Sequence, residues 1–172
     1  MPAAVRAAAD GLHVPLRAAG IDQLPETIPE WPAFADSKEA LDALRASGRK
    51  IAILSNIDRV LLDRTLRAHD FNVDLAVTAE DVHSYKPELA HWIRLLKMTG
   101  IRPDQGLHVT GGYEYDVPPA SLLGFRTAYI ARYGPPPGTV PGLTIHANLA
   151  ELVQHVHEEP PSASGRASPS GA

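Results

Sequence analysis

Three short groups of residues have the types and positions from which chemistry can be built: Ser55-Asn56 closing "IAILSN", Lys86 in "SYKPE", and Asp116, with Glu114 nearby, in "GLHVTGGYEYDVPPA". A serine hydroxyl beside backbone N–H groups that have no intrahelical partner can hold an anionic oxygen, and the same dipeptide also suits a plain helix cap. A lysine just before a proline-opened helix can pair with a phosphate or carboxylate, or stand solvated on the surface. An aspartate that follows a strand can coordinate magnesium directly or through water, or cap a helix. Taken singly, each group leaves both of its readings open.

Other chemistry is less well supported. "TGGYEYD" has too few glycines at the required spacing for a dinucleotide fingerprint or a P-loop. The eight histidines form no ligand pattern: His108 falls inside an apolar strand-like run and reads as a core histidine, and His155 and His157 lie two apart on different helix faces. Trp31 and Trp92 read as packing residues.

The elements that must position these groups follow from periodicity. "KEALDALRASG", capped by Asp36 or Ser37 and stopped by Gly48, predicts a helix with Leu41 and Leu44 on one face. "KIAILSN" is a continuous apolar run, expected of a strand buried on both faces. "DRVLLDRTLRAHD" has helical spacing at Val60, Leu61 and Leu66, "VDLAVT" is a short strand, and "PELAHWIRLLKMTG" is a helix opened by Pro87 and ended by Gly100. "GLHVT" is strand-like, "VPPASLLG" opens a short helix through its prolines, "FRTAYIA" and "LTIH" are strands, and "NLAELVQHVHEE" is a helix. This alternation predicts an α/β fold with a doubly wound, Rossmann-like parallel sheet, whose chemistry gathers at the carboxyl ends of the strands. Residues 1–35 read as interrupted helices and a proline-rich connector, 36–158 as the α/β core, and 159–172 as a disordered tail.

Bulk properties narrow the partners. The chain has 172 residues, 44% of them hydrophobic and 21% charged, with a net charge of −4. That balance is ordinary for a globular domain and supplies no broad attraction to nucleic acid or anionic membranes. No run reaches the ~18 apolar residues of a membrane span. The absence of cysteine excludes disulfides and thiolate nucleophiles and fits a cytoplasmic protein.

Taken together and in order, the three groups resemble the haloacid dehalogenase (HAD) superfamily, especially its dehalogenase-like members. "WPAFADSKEALDALRASGRKIAILSNID" is similar to the passage from cap segment to second core strand, with Ser55 at the second-motif position. "FNVDLAVTAEDVHSYKPELAHW" resembles the third-motif region, with Lys86 as its lysine, and "LHVTGGYEYDVPPASLLGFRTAYIAR" the fourth-motif strand and loop. The resemblance implies a hydrolase for a small anionic substrate. Ser55 and Asn56 would hold the substrate's anionic oxygen, Lys86 would neutralise and orient an aspartyl nucleophile, and Asp116 would position Lys86 or a metal. The residues fix no cofactor; magnesium on Asp116 is the one the resemblance admits.

Two departures from the family pattern limit the activity that the resemblance implies. Where the fourth motif commonly reads Gly-Asp-Ser, this chain has Thr110, Gly111 and Gly112, with the distal aspartate kept as Asp116. The loss of one acid favours carbon–halogen or ester-like chemistry over phosphatase action. The family's opening strand, whose terminal aspartate attacks the substrate, has no counterpart in these residues: Asp10 follows alanines and Asp58 lies beyond the second-motif strand. A covalent hydrolase deprived of its nucleophile loses on the order of a million-fold in turnover. The expectation is a truncated, weakly active or inactive form of a longer hydrolase, residues 1–35 holding the helical remnant of its cap and the proline-rich connector, its core missing the first central strand and self-associating through the exposed strand edges. The competing reading is a non-catalytic binding module on the same α/β scaffold.

Overall fold

The computed structural model describes residues 10–11 and 26–158. Most of segment 1–35 and all of tail 159–172 lie outside the described residues. The chain divides into two compact units, Met1–Gly100 and Ile101–Ala172.

In the first unit, a 3-10 turn at Ile28–Glu30 precedes helix α1 (Ser37–Ala46). Asp36 occupies the N-cap position without a side-chain cap bond, and Gly48, at φ +83°, reverses the chain after the last turn. Strand β1 (Ala52–Ser55) pairs in parallel with β2 (Leu75–Thr78), Ala52 opposite Leu75 and Ser55 opposite Thr78. Helix α2 (Arg59–Ala68) connects them. It buries Leu61 and Leu62 and leaves Val60 66% exposed, so Val60 does not share the core face expected for it. A step of about 100° per residue centres the packed arc on Leu61, Leu62 and Thr65 and turns Val60 outward.

Asp74, just before β2, ties this unit together. Its carboxylate accepts from Arg45 at 2.5 Å, Lys50 at 3.2 Å and the Ile51 N–H at 2.9 Å. The Ile51 N–H bond, helped by Lys50 and Arg45 and opposed by partial desolvation, holds this carboxyl below the ordinary aspartate value.

Past β2 a four-residue helix, α3 (Ala79–Val82), starts from a capping box between Thr78 and Asp81. Asp81 also takes the Arg59 guanidinium, whose other bond goes to the Ala76 carbonyl at 2.9 Å. Helix α4 (Ala90–Thr99) begins three residues later than Pro87, because the backbone N–H and C=O of Lys86 bond to Asn56 instead of opening a helical ladder. It buries His91, Trp92 and Leu95 and ends at Gly100, whose φ of +70° suits glycine.

In the second unit, β3 (Leu107–Thr110), β4 (Arg126–Ile130) and β5 (Thr144–His146) form a parallel sheet in that order. Val109 lies opposite Ala128, and Tyr129 opposite Ile145. Central strand β4 buries Thr127, Ala128, Tyr129 and Ile130. Gly106 is required beside it, since a Cβ there would sit 2.8 Å from the Phe125 ring. Helix α6 (Leu149–Glu158) packs on β5 through a face that includes Leu152 and Val156.

Helix α5 (Tyr113–Leu122) starts well before the prolines expected to open it and holds Pro118 and Pro119 in its interior. Their missing N–H groups leave the carbonyls of Glu114 and Tyr115 without helical donors. Both residues are exposed, so water can serve those carbonyls.

The strands are therefore parallel and connected as the alternation predicts, but they fall into a two-stranded and a three-stranded sheet. Among the described residues β1 pairs only with β2, and β3 only with β4. β1 is not buried on both faces as its apolar run predicts: Ala52 is exposed and Ile53 and Leu54 are half-buried, while Val109 in β3 is 36% exposed. Among the described residues each of these strands pairs along one edge, so its side chains are flanked by a neighbouring strand on one side.

Candidate functional site

Ser55 is the last residue of β1 and Asn56 the first beyond it. The Asn56 side chain closes on Lys86, 30 residues away: Oδ1 accepts the Lys86 backbone N–H at 2.7 Å, and Nδ2 donates to the Lys86 carbonyl at 3.1 Å. The Lys86 ammonium donates in turn to the Leu54 carbonyl at 3.1 Å. The direction of that carbonyl matters. Ile51 O accepts from Asp74 and Leu75 on the β2 side, and carbonyls alternate along a parallel strand, so Leu54 O points to the opposite, open edge of β1. Lys86 therefore covers the edge of β1 that carries no strand among the described residues. Beneath the same strand end, fully buried His91 places Nε2 3.2 Å from the Ser55 carbonyl.

The end of β3 has its own polar group. Asp116 lies in the first turn of α5 rather than in a loop, because the helix starts directly after Gly112, and it is only 6% exposed. Its Oδ2 accepts from the Thr110 hydroxyl at 2.7 Å, and its Oδ1 lies 3.2 Å from His108 Nε2. Thr110 Oγ1 also accepts the Gly112 N–H at 2.9 Å, which fixes the glycine turn. A Cβ at Gly112 would stand 3.4 Å from Asp116 Oδ2, an ordinary contact, so the loop lies against the carboxylate without demanding glycine there. Glu114 is exposed.

The sequence model of the haloacid dehalogenase-like hydrolases matches residues 4–124, more than half of the chain. The chain belongs to this family. It is 30% identical over 118 residues to (S)-2-haloacid dehalogenase 4A of Burkholderia cepacia, covering 67% of this chain and 51% of that protein. It is 31% identical over 112 residues to haloacid dehalogenase-like hydrolase domain-containing protein 3 of Xenopus laevis, covering 64% and 46%. The chain thus spans about half the length of these curated relatives. A crystal structure of an L-2-haloacid dehalogenase superposes with a TM-score of 0.78 at 26% identity, over 91% of this chain and 70% of that one.

Within this haloacid dehalogenase-like chain, the first unit brings Ser55, Asn56 and Lys86 to one strand end, and the second places Asp116 beside His108 and Thr110. His108 is more than the core histidine its apolar surroundings suggest. The signal that could have found it is the period of two, which puts His108 and Thr110 on the same face of β3 and aims two hydrogen-bonding side chains at the segment beyond the glycines. The Leu54 carbonyl and His91 carry no comparable signal.

The β3 end offers magnesium a poor donor set. Magnesium takes carboxylate oxygens and water in a near-octahedral shell, whereas here the one buried carboxylate already engages a hydroxyl and an imidazole through its two oxygens. Gly111 and Gly112 add no side-chain oxygen. What the group does well is hold a carboxylate rigid at the mouth of a helix.

Proposed function

We propose that this chain carries the anion-holding and lysine-bearing parts of a hydrolase for a small anionic substrate, with 2-haloacid dehalogenation preferred over phosphate-ester hydrolysis. The observation that carries the reading is the Lys86 ammonium held over the open edge of β1, one residue from Ser55. A fixed ammonium there stabilises a carboxylate nucleophile at the next strand position, and one well-placed charged donor is worth ~3 kcal/mol in sites of this kind. The preference for dehalogenation rests on the relatives named as 2-haloacid dehalogenases and on the poor magnesium donor set.

In this reading the nucleophile is an aspartate outside the 172 residues. Its carboxylate displaces the halide to form an ester, which water then hydrolyses. Ser55, with the backbone N–H groups around it, holds the substrate's anionic group, and Asp116 serves as the fixed acid of the β3 end. The chain as given is then weakly active or inactive, and the open edges of β1 and β3 favour self-association. A cytoplasmic setting suits a cysteine-free chain.

The test measures halide release from 2-chloropropionate and phosphate release from a generic ester. It compares this chain with the same chain extended by whatever in-frame apolar strand and aspartate its upstream DNA encodes. The extended form should release halide, and Lys86→Ala should lower that rate by roughly two orders of magnitude, the equivalent of one lost charged donor. An extended, folded form that releases neither halide nor phosphate would favour a non-catalytic binding module on this scaffold.

A further inference from the structure

Lys86 sits in a turn between two helices, where a long flexible side chain would ordinarily sample many rotamers. Two anchors on one strand end restrain it. Asn56 takes both hydrogen-bonding groups of the Lys86 backbone, at 2.7 and 3.1 Å, and the carbonyl of Leu54, two residues earlier, takes the ammonium at 3.1 Å. The orientation of the Asn56 amide is unambiguous. Its partners are a backbone N–H and a backbone C=O, so the reverse orientation would set donor against donor and acceptor against acceptor. Pro87, next in the chain, has no N–H with which to tie the turn down by itself. The clamp thus bridges the 30 residues between Asn56 and Lys86 at the point where the lysine must be aimed.

We infer that Asn56 is a positioning residue: its side-chain amide holds the Lys86 main chain against the end of β1, so that the ammonium is fixed over the open edge instead of roaming in solvent. This rests on the reading of Lys86 as the lysine of a hydrolase site, and it replaces direct contact with substrate as the main work of Asn56. Leu54 and Asn56 flank Ser55, so one short segment carries the anion-holding serine and both restraints on the lysine.

The test uses the full chain and needs no substrate, so its failure is distinct from a failure of the hydrolase reading, which shows only as missing turnover. Trace labelling of lysine ammonium groups with acetic anhydride, read by mass spectrometry, gives the reactivity of Lys86 relative to the 84% exposed Lys50. Asn56→Ala should raise the relative labelling of Lys86 at least about threefold, and Asn56→Gln, which keeps both amide functions on a longer arm, should return part of that change. Unchanged labelling in a folded Asn56→Ala protein overturns the inference, as does a rise that Asn56→Gln leaves fully in place. A second measurement needs only the wild type: the Lys86 amide should exchange with deuterium at least tenfold more slowly than that of Tyr85, and equal rates would also overturn it.

Discussion

Asp116 shows how much a single buried carboxylate depends on its neighbours. Removing it as Asp116→Ala leaves the Thr110 hydroxyl and His108 facing an empty polar space, and should destabilise the chain by roughly 1–3 kcal/mol in urea unfolding. Thr110→Val should cost about 1–2 kcal/mol, since it removes a donor to Asp116 and the acceptor for the Gly112 N–H together. Wild-type midpoints in both variants would mean the network contributes nothing. Residue types flagged Ser55, Lys86 and Asp116 directly, because charge and hydroxyl chemistry are visible in a sequence. The partners of Asp116 were half visible through strand alternation. The Asn56–Lys86 clamp was not visible, because no local pattern says which backbone groups a distant amide will meet.

Helices and strands make a different set of demands. Trp92 anchors α4 with no exposed surface, so Trp92→Ala should cost roughly 3–5 kcal/mol. Val60→Ala, on the outward side of α2, should stay within about 0.5 kcal/mol, and a loss above about 1 kcal/mol in chemical denaturation would mean that Val60 packs in the core. The edges of β1 and β3 that carry no strand among the described residues predict concentration-dependent self-association. Ala52→Lys combined with Val109→Lys sets a charge on each edge strand and should shift light-scattering mass toward the monomer. A wild-type protein that stays monodisperse across the concentration range would refute the edge argument. Strand and helix types were readable from apolar periods of 2 and 3.6, and starts were less so. The helix around Pro118 and Pro119 begins at Tyr113 because exposed carbonyls tolerate the missing donors, and solvent exposure of that kind is settled by packing rather than by residue identity.

Stability against pH gathers contributions from both units. Burial opposes ionisation of Asp81, but the Thr78 N–H and hydroxyl and the Arg59 guanidinium outweigh it, and the carboxyl titrates below its ordinary 3.8. Its contribution is present above that value and is lost as pH falls through the lower folded one, so Asp81→Asn should differ least from wild type in strong acid. Burial, and then the charge of facing His155, pull His146 below 6.5 against the opposing pull of Glu151. The folded protein therefore resists protonation there, and the melting temperature should decline as pH falls from about 7 toward 5, with a shallower slope in His146→Asn. An unchanged slope would mean that His146 does not titrate differently on folding. Among the described residues no helix is long and apolar enough to cross a bilayer. Fold class and family were already legible in the chain, because apolar periodicity and strand-end motifs are local and survive without coordinates. The division into two sheets with open edges, the reach of Lys86 to Leu54, and the pairing of His108 with Asp116 depend on contacts between separate segments, and those are set only when the chain packs.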